Sequence, residues 1–222
     1  MIIRTLIFFI GLAMLSLGIS VVTHAGLGTG TISAVALVLK EAYPLSMGTF
    51  VFLTNVFFFI LQSIVDPKHL FTKFIKQILI CFCFGLIFDV AFGLTDFIHP
   101  STYLMQIVTV FIGSLFTGLG IAAMVFARLA ILPPEGLVLC IINRLGGTFG
   151  NLRVCLDIFL VVVAATLSMI LLGSIEGLRE GTLITALCSG QFAKVFLKAF
   201  GKLFPAHRPI EWGLSVVECA KS

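Results

Sequence analysis

Two kinds of residue in this 222-residue chain could do chemistry, and apolar sequence surrounds both. The first is a set of charges: Asp89 in "GLIFDVAFG", Arg153 and Asp157 in "NLRVCLDIF", and Arg128 with Glu135 in "ARLAILPPEG". An ionised side chain inside apolar sequence is costly, so it points to a transport pathway, a proton carrier or a paired structural charge. The second is "AGLGTGTIS", where Gly26, Gly28 and Gly30 are interleaved with Thr29 and Thr31 and followed by Ser33. Glycines let the backbone turn sharply, and hydroxyls cap the orphan N–H groups of a helix start. Such a start aims those N–H groups and a positive dipole end at whatever lies before it, which suits a carboxylate, phosphate or small anion. The same glycines would also serve a plain tight turn with close helix packing.

Each charge has a structural alternative. Arg153 stands one turn before Asp157, so the two can pair as i, i+4 neighbours near an interface, or serve a pore. Glu135 follows Pro134, a residue suited to a first helical turn. There it complements the helix dipole and can pair with Arg128, or it accepts a proton or a cation in a pore. Asp89 has no basic residue within one helical turn, and a desolvating pocket would make it a proton carrier. His24, at the end of the first apolar run, is either a group titrating near neutral pH or an ordinary interfacial residue. There is no HExxH motif, no cluster of metal ligands and no Ser/His/Asp grouping; His24, His69, His99 and His207 lie at run ends and in loops. Neither enzymatic activity nor a cofactor or metal is expected.

The elements that must position these residues follow from composition. Apolar residues make up 59% of the chain and charged ones 11%, against roughly 25% charged in a soluble domain. The lipid bilayer is therefore the expected environment, and nucleic-acid binders and secreted disulfide scaffolds are excluded. Net charge is +4, carried mostly by loops and the C-terminal tail. Cys81, Cys83, Cys140, Cys155 and Cys188 fall in apolar runs without metal-ligand spacing and are expected as small core residues.

The chain repeats itself at an offset of 102 residues. "FIGLAMLSLGIS" from Phe9 falls on "FIGSLFTGLGIA" from Phe111, pairing Gly11 with Gly113 and Gly18 with Gly120. The register continues to Gly48/Gly150 and Phe57/Phe159, and it sets Asn55 against Asp157 and Asp89 against Gln191. The first 25 residues resemble a signal peptide, with Arg4, an apolar run and Thr23-His24-Ala25, but the repeat makes them part of a duplicated unit.

Each half holds three apolar runs of roughly 20 residues, long enough to span hydrocarbon. Between the first and second run lies a shorter element, too short to span and suited to a re-entrant half-helix. The expected fold is thus all-α: six transmembrane helices plus two short re-entrant half-helices, built from two inverted repeats. Residues 1–102 form the first repeat, with half-helix 29–44; residues 103–204 form the second, with half-helix 132–145; residues 205–222 are a cytoplasmic tail. With both termini cytoplasmic, Lys68, Lys73, Lys76, Arg128, Arg144, Lys202, Arg208 and Lys221 lie inside, and only Lys40 and Arg179 violate the positive-inside rule. The geometry resembles that of aquaporins generically, without their Asn-Pro-Ala boxes.

Several stretches resemble the YczE/YyaS/YitT family of bacterial inner-membrane proteins. They are "GLGTGTISAVALVL", "PLSMGTFVFLTN" leading to Asn55, "PPEGL", the "LDI" containing Asp157, and "EGTLITALCSGQF". The resemblance implies a polytopic inner-membrane protein often presumed to be a transporter, and it supplies neither substrate nor catalytic residues. Gly136 departs from it, standing where an acidic residue often follows the proline, and "GLREGT" replaces a smoother glycine-rich turn.

The expected function is transport or facilitated passage of a small polar metabolite, an anion among the candidates. The substrate would sit where the two half-helix starts approach each other, among Gly28, Thr29, Gly30, Thr31, Asn55, Asp89, Arg128, Glu135, Arg153, Asp157 and Gln191. Asp89, Asp157 or Glu135 would carry any proton coupling. The rival reading is a non-transporting accessory or ligand-binding subunit of a larger complex. A homo-oligomer is compatible with both.

Overall fold

The computed structural model describes residues 2–65, 70–127, 129, 132–145, 149–174 and 179–203. Arg128, Lys68 and the tail 205–222 lie outside the described residues. Among those described, the chain forms eight α-helices: α1 Ile2–His24, α2 Thr31–Ala42, α3 Met47–Val65, α4 Leu70–Leu94, α5 Tyr103–Ala127, α6 Pro133–Leu145, α7 Phe149–Leu171 and α8 Glu180–Leu203. Five stretches are long and apolar enough to cross a membrane: Ile3–His24, Met47–Val65, Gln77–Leu94, Tyr103–Ala127 and Glu180–Gly201. Within α7 the described apolar stretch is shorter, Ile158–Leu171. The chain is therefore an all-helical protein of multi-pass membrane type. α2 and α6, of 12 and 13 residues, are too short to span.

Local chemistry sets the boundaries of α2 and α3. The chain leaves α1 through Gly26 and Gly28, both at positive φ (75° and 108°), a region closed to ordinary side chains. Gly30, extended at φ −62° and ψ 150°, is the N-cap of α2, and its carbonyl accepts the first helical bond from the Ala34 N–H at 2.8 Å. α2 ends at Tyr43 (φ −133°, ψ 147°), since the residue before Pro44 is pushed out of helical geometry. α3 then opens on Ser46, whose hydroxyl accepts from the Thr49 N–H at 3.1 Å, an ordinary N-cap bond.

α1 and α5 run antiparallel in the most extensive helix contact among the described residues, and glycines make it possible. A Cβ on Gly11 would stand 3.0 Å from the Gly120 carbonyl oxygen, and one on Gly120 would stand 2.7 Å from that of Gly11. One on Gly18 would meet the Gly113 oxygen at 2.7 Å and collide with the Thr117 backbone, and one on Gly113 would meet the Gly18 oxygen at 2.8 Å. In lipid no hydrophobic force pushes apolar helices together, so small residues that let backbones touch supply the association. Two further crossings use the same device: Gly48 on Gly85 between α3 and α4, and Gly118 under Phe192 between α5 and α8.

The short helices lie between the halves. α2 packs on α3 and α7, and α6 packs on α7 and α3. Apolar cores flank them: Ala36 and Leu132 join Phe8, Leu12, Met47, Phe50, Phe84 and Phe88, while Ile32 and Val35 pack on the cluster of Phe58, Leu137 and Leu160. Cys81 belongs to this interior, but Cys155 is exposed, so the expected core role fails there: an apolar run facing lipid needs no buried thiol.

Gly18→Leu is expected to destabilise the protein by roughly 3 kcal/mol or more, because the collision is with backbone. Gly93, with nothing within 4 Å of its would-be Cβ, should accept alanine with unchanged or slightly raised stability. Thermal melting of the two purified variants checks the contrast; equal melting temperatures would remove the glycine seam as a stabilising feature.

Candidate functional site

Half of the buried hydroxyls and amides among the described residues are already spoken for by their own helices. Ser16, Thr54, Thr95, Ser114, Thr117 and Thr185 donate to the carbonyl four residues back at 2.7–2.9 Å. Asn55, 2% exposed, does the same through Nδ2 to the Val51 oxygen at 2.8 Å. In hydrocarbon such back-bonding satisfies a polar side chain without a partner helix. The informative residues are those that reach elsewhere.

Asp89 is one. Its Oδ1 accepts from the Gly48 N–H and its Oδ2 from the Ser46 hydroxyl, both at 2.6 Å. A carboxylate from α4 thus caps α3 from outside, complementing the Ser46 cap and the positive end of the α3 dipole. Close approach is required, and the Gly48–Gly85 crossing provides it: a Cβ on Gly48 would stand 2.7 Å from Asp89 Oδ1 and collide with the Gly85 oxygen. Asp89 is therefore engaged in joining two helices. Gln191, its mate in the second half, is exposed on α8 and does not join the other candidates.

The Gly/Thr turn is stitched at both sides. Thr23 donates to the Ile19 oxygen at 2.8 Å, so the 2.7 Å contact between the Thr23 and Thr29 hydroxyls has Thr29 as donor. From the start of α8, the Gly181 N–H donates to the Leu27 oxygen at 2.8 Å and Arg179 Nη1 to the Gly26 oxygen at 3.2 Å. A Cβ at Gly181 would stand 2.6 Å from that Leu27 oxygen, so "REGT" is shaped to receive the turn. Gly28, Thr29, Thr31 and Ser33 are all buried.

His24 closes the same end. Its Nδ1 lies 3.0 Å from the Ser20 carbonyl oxygen and 3.1 Å from the Thr95 hydroxyl, and its Nε2 lies 3.5 Å from Asp96. Its ring rests on Phe92 with centroids 4.3 Å apart, and Lys40 Nζ sits 5.0 Å above the other aromatic partner of that stack. Both basic residues that break the positive-inside pattern thus have local occupations, Lys40 on Phe92 and Arg179 on the turn.

The start of α6 has its own polar neighbours. Gln77 of α4 donates through Nε2 to Gln62 Oε1 of α3 at 3.2 Å, and a Cβ on Gly136 would stand 2.7 Å from that Gln62 oxygen. Gln62 occupies the space a side chain at 136 would need, which accounts for glycine there. Glu135 is half-buried in the first turn. Arg153 and Asp157 lie on α7 with side chains outside the described residues, as does Arg128 altogether. The structure therefore brings Gly28, Thr29, Gly30 and Thr31 together at one short-helix start and Glu135 at the other, with Asn55 and Asp89 on the flanking helices.

Sequence reasoning passed over Ser20, Thr23, Ser46, Gln62 and Gln77. Only Ser46 carried a local signal, Ser-x-x-Thr ahead of an apolar run; the others are ordinary polar letters until a neighbouring helix gives them a partner.

The profile of a family of unknown function (DUF6198) matches residues 2–198, and the chain belongs to that family. It is similar to "Uncharacterized protein YyaS" of Bacillus subtilis (strain 168), with 28% identity over 189 residues, 85% of this chain and 89% of that protein. This agrees with the YyaS side of the resemblance in the glycine-rich motifs. No solved structure matches the chain.

Capping and charge at Asp89 are separable. Asp89→Ala is expected to cost about 1–3 kcal/mol, since it strands the Gly48 N–H. Asp89→Asn keeps an acceptor for that N–H and should cost under about 1 kcal/mol. Melting temperatures of both variants check this; an alanine variant as stable as the wild type would show that the cap does not hold the helices together.

Proposed function

We propose that the chain is a membrane transporter or facilitator for a small polar metabolite, an anion among the candidates, built from two inverted halves of three spans and one re-entrant half-helix each. The observation that carries this reading is the crosswise packing of equivalent residues. Gly11 meets Gly120 and Gly18 meets Gly113, although the repeat equates Gly11 with Gly113 and Gly18 with Gly120. Pairs that exchange in this way are what a two-fold axis in the membrane plane produces, the arrangement of inverted-repeat transporters. The short helices obey the same exchange, α2 on α7 and α6 on α3.

On this reading α7 is the sixth span. Residues 25–42 enter and leave at one end of the bundle, Gly26 being held by Arg179 and Lys40 resting on Phe92. Each half-helix start then brings polar groups between the halves: Thr29, Thr31 and Ser33 from α2, and Glu135 beside Gln62 and Gln77 from α6. Irregular backbone at membrane depth is tolerated only where it is buried in protein or lines a cavity, and in such folds the substrate binds at broken helices. The location follows from the family resemblance and the charge pattern: the bacterial inner membrane, both termini in the cytoplasm.

The test is uptake of a panel of small polar metabolites into proteoliposomes, with and without a pH gradient. At least one solute should accumulate faster than in empty liposomes; no flux for any solute would move the assignment to an accessory subunit. With Asp89→Asn, which keeps the cap, gradient-driven uptake should fall at least tenfold while melting stays near wild type. Unchanged uptake would take Asp89 out of proton coupling and leave it a structural cap.

A further inference from the structure

The end of α1 places one titratable ring where three elements meet. His24 closes α1, its ring lies against Phe92 of α4, and Lys40 of α2 holds its ammonium over that same Phe92 ring. The hydrogen bonds fix where a proton can be added. A carbonyl oxygen only accepts, so the 3.0 Å contact of Nδ1 with the Ser20 oxygen makes Nδ1 the protonated nitrogen. The Thr95 hydroxyl gives its own proton to the Ala91 oxygen at 2.9 Å, and so accepts from the same Nδ1 at 3.1 Å. Nε2 is left as the basic nitrogen, 3.5 Å from Asp96 Oδ1, which is longer than an ordinary hydrogen bond.

The groups around Nε2 decide what a proton there costs. The His24 side chain is 8% exposed, whereas that of Asp96 is 76% exposed. An imidazolium here would be stripped of water, and the one carboxylate facing it is screened by water. Lys40 adds a positive charge, and His99, with ring centroids 6.1 Å away, can add another. Glu41 is exposed and lies 3.5 Å from Lys40. α5, packed along α1, contains no charged residue. Asp89 of α4 is taken up by Ser46 and Gly48, and Arg179, ahead of α8, by the Gly26 carbonyl. The α1 dipole favours a cation at this end, but its effect is small beside the desolvation of a whole charge. The packing therefore suits a neutral ring.

We propose that His24 is an acid-sensitive latch: neutral, it fastens the end of α1 to the end of α4 and to the Lys40 arm of α2, and protonated at Nε2 it releases them. Proton uptake sets a second cation beside the ring that already carries Lys40. The two cations repel, the imidazolium draws water, and the Phe92–Asp96 corner loosens. The opened chain hydrates that charge, so it binds the proton more readily than the closed one. Stability is then present above the ordinary histidine value of about 6.5 and is lost as pH falls below it. The latch goes beyond the transport reading and needs no flux to operate.

The readouts are thermal melting and amide hydrogen exchange of the purified protein in lipid nanodiscs, at about pH 8 and about pH 5.5, on either side of the histidine range. On acidification the wild type should lose about 2–4 °C more in melting temperature than His24→Gln does. Exchange across residues 92–99, corrected for its intrinsic pH dependence, should rise about tenfold in the wild type, the effect of taking up one proton over one pH unit. It should stay flat in His24→Gln. Asp96→Asn removes the facing carboxylate and should deepen the acid response; Lys40→Gln removes the competing cation and should shrink it. His99→Gln should retain the response. Equal acid responses in the wild type and His24→Gln overturn the latch, as does a response lost in His99→Gln instead. A wild type that melts higher in acid, with the gain abolished by Asp96→Asn, overturns it too, since the proton then tightens an ion pair. Should His24→Gln not fold, His24→Phe keeps a ring against Phe92, cannot titrate, and decides by the same outcomes.

Discussion

The close contact of α1 and α5 is the interaction on which the rest depends. Between helices in lipid the driving force must come from close packing, because burying a leucine against another helix gains little over burying it against acyl chains. Glycines at 11, 18, 113 and 120 remove the side chains that would hold the two backbones apart. Once this seam is closed, the ends of the flanking helices fall into place: α4 reaches α1 at His24 and Phe92, and α8 reaches the α1–α2 turn at Gly181. The short helices are then left with one place to go, between α3 and α7.

A second constraint sorts the polar residues. In hydrocarbon every donor and acceptor needs an internal partner, and the cheapest is the carbonyl one turn back. Serines and threonines that take it can be numerous without making the interior reactive. Several described residues also bond across elements, and most of these contacts lie near helix ends: Asp89 with the start of α3, Thr29 with Thr23 before α2, and Thr95 with His24 at the ends of α4 and α1. Among the described residues, polar contacts across helices therefore collect near helix ends.

Much of the architecture was legible in the letters because it rests on short-range rules. Run length distinguished long helices from short ones, and the FIG…LGI register exposed the glycines that form the seam, while the half-helix expected over 29–44 runs only over Thr31–Ala42. What those glycines touch was not legible, since a repeat states equivalence and says nothing of contact. Asp89 shows the same limit. Its apolar neighbours pointed to a lone buried charge, but its partners are 41 and 43 residues away, on a helix end brought close by Gly48 and Gly85. Arg179 and Lys40, exceptions to a statistical rule, became ordinary once a carbonyl and a ring stood beside them.

Positions that the 102-residue register equates differ in chemistry. Gly48 and Gly150 open equivalent helices, but the carboxylate that caps the first has a glutamine as its mate, and that glutamine is exposed. The start of α2 is a glycine with hydroxyls around it; the start of α6 is two prolines and a glutamate beside a pair of glutamines. Proline gives up an N–H that glycine leaves available, and glutamate answers its own helix dipole where the α2 start has no acid to do so. The two short-helix starts thus present different groups, backbone N–H groups and hydroxyls at α2, prolines and a carboxylate at α6. The sequence register equates these two positions, and the chemistry that each presents differs.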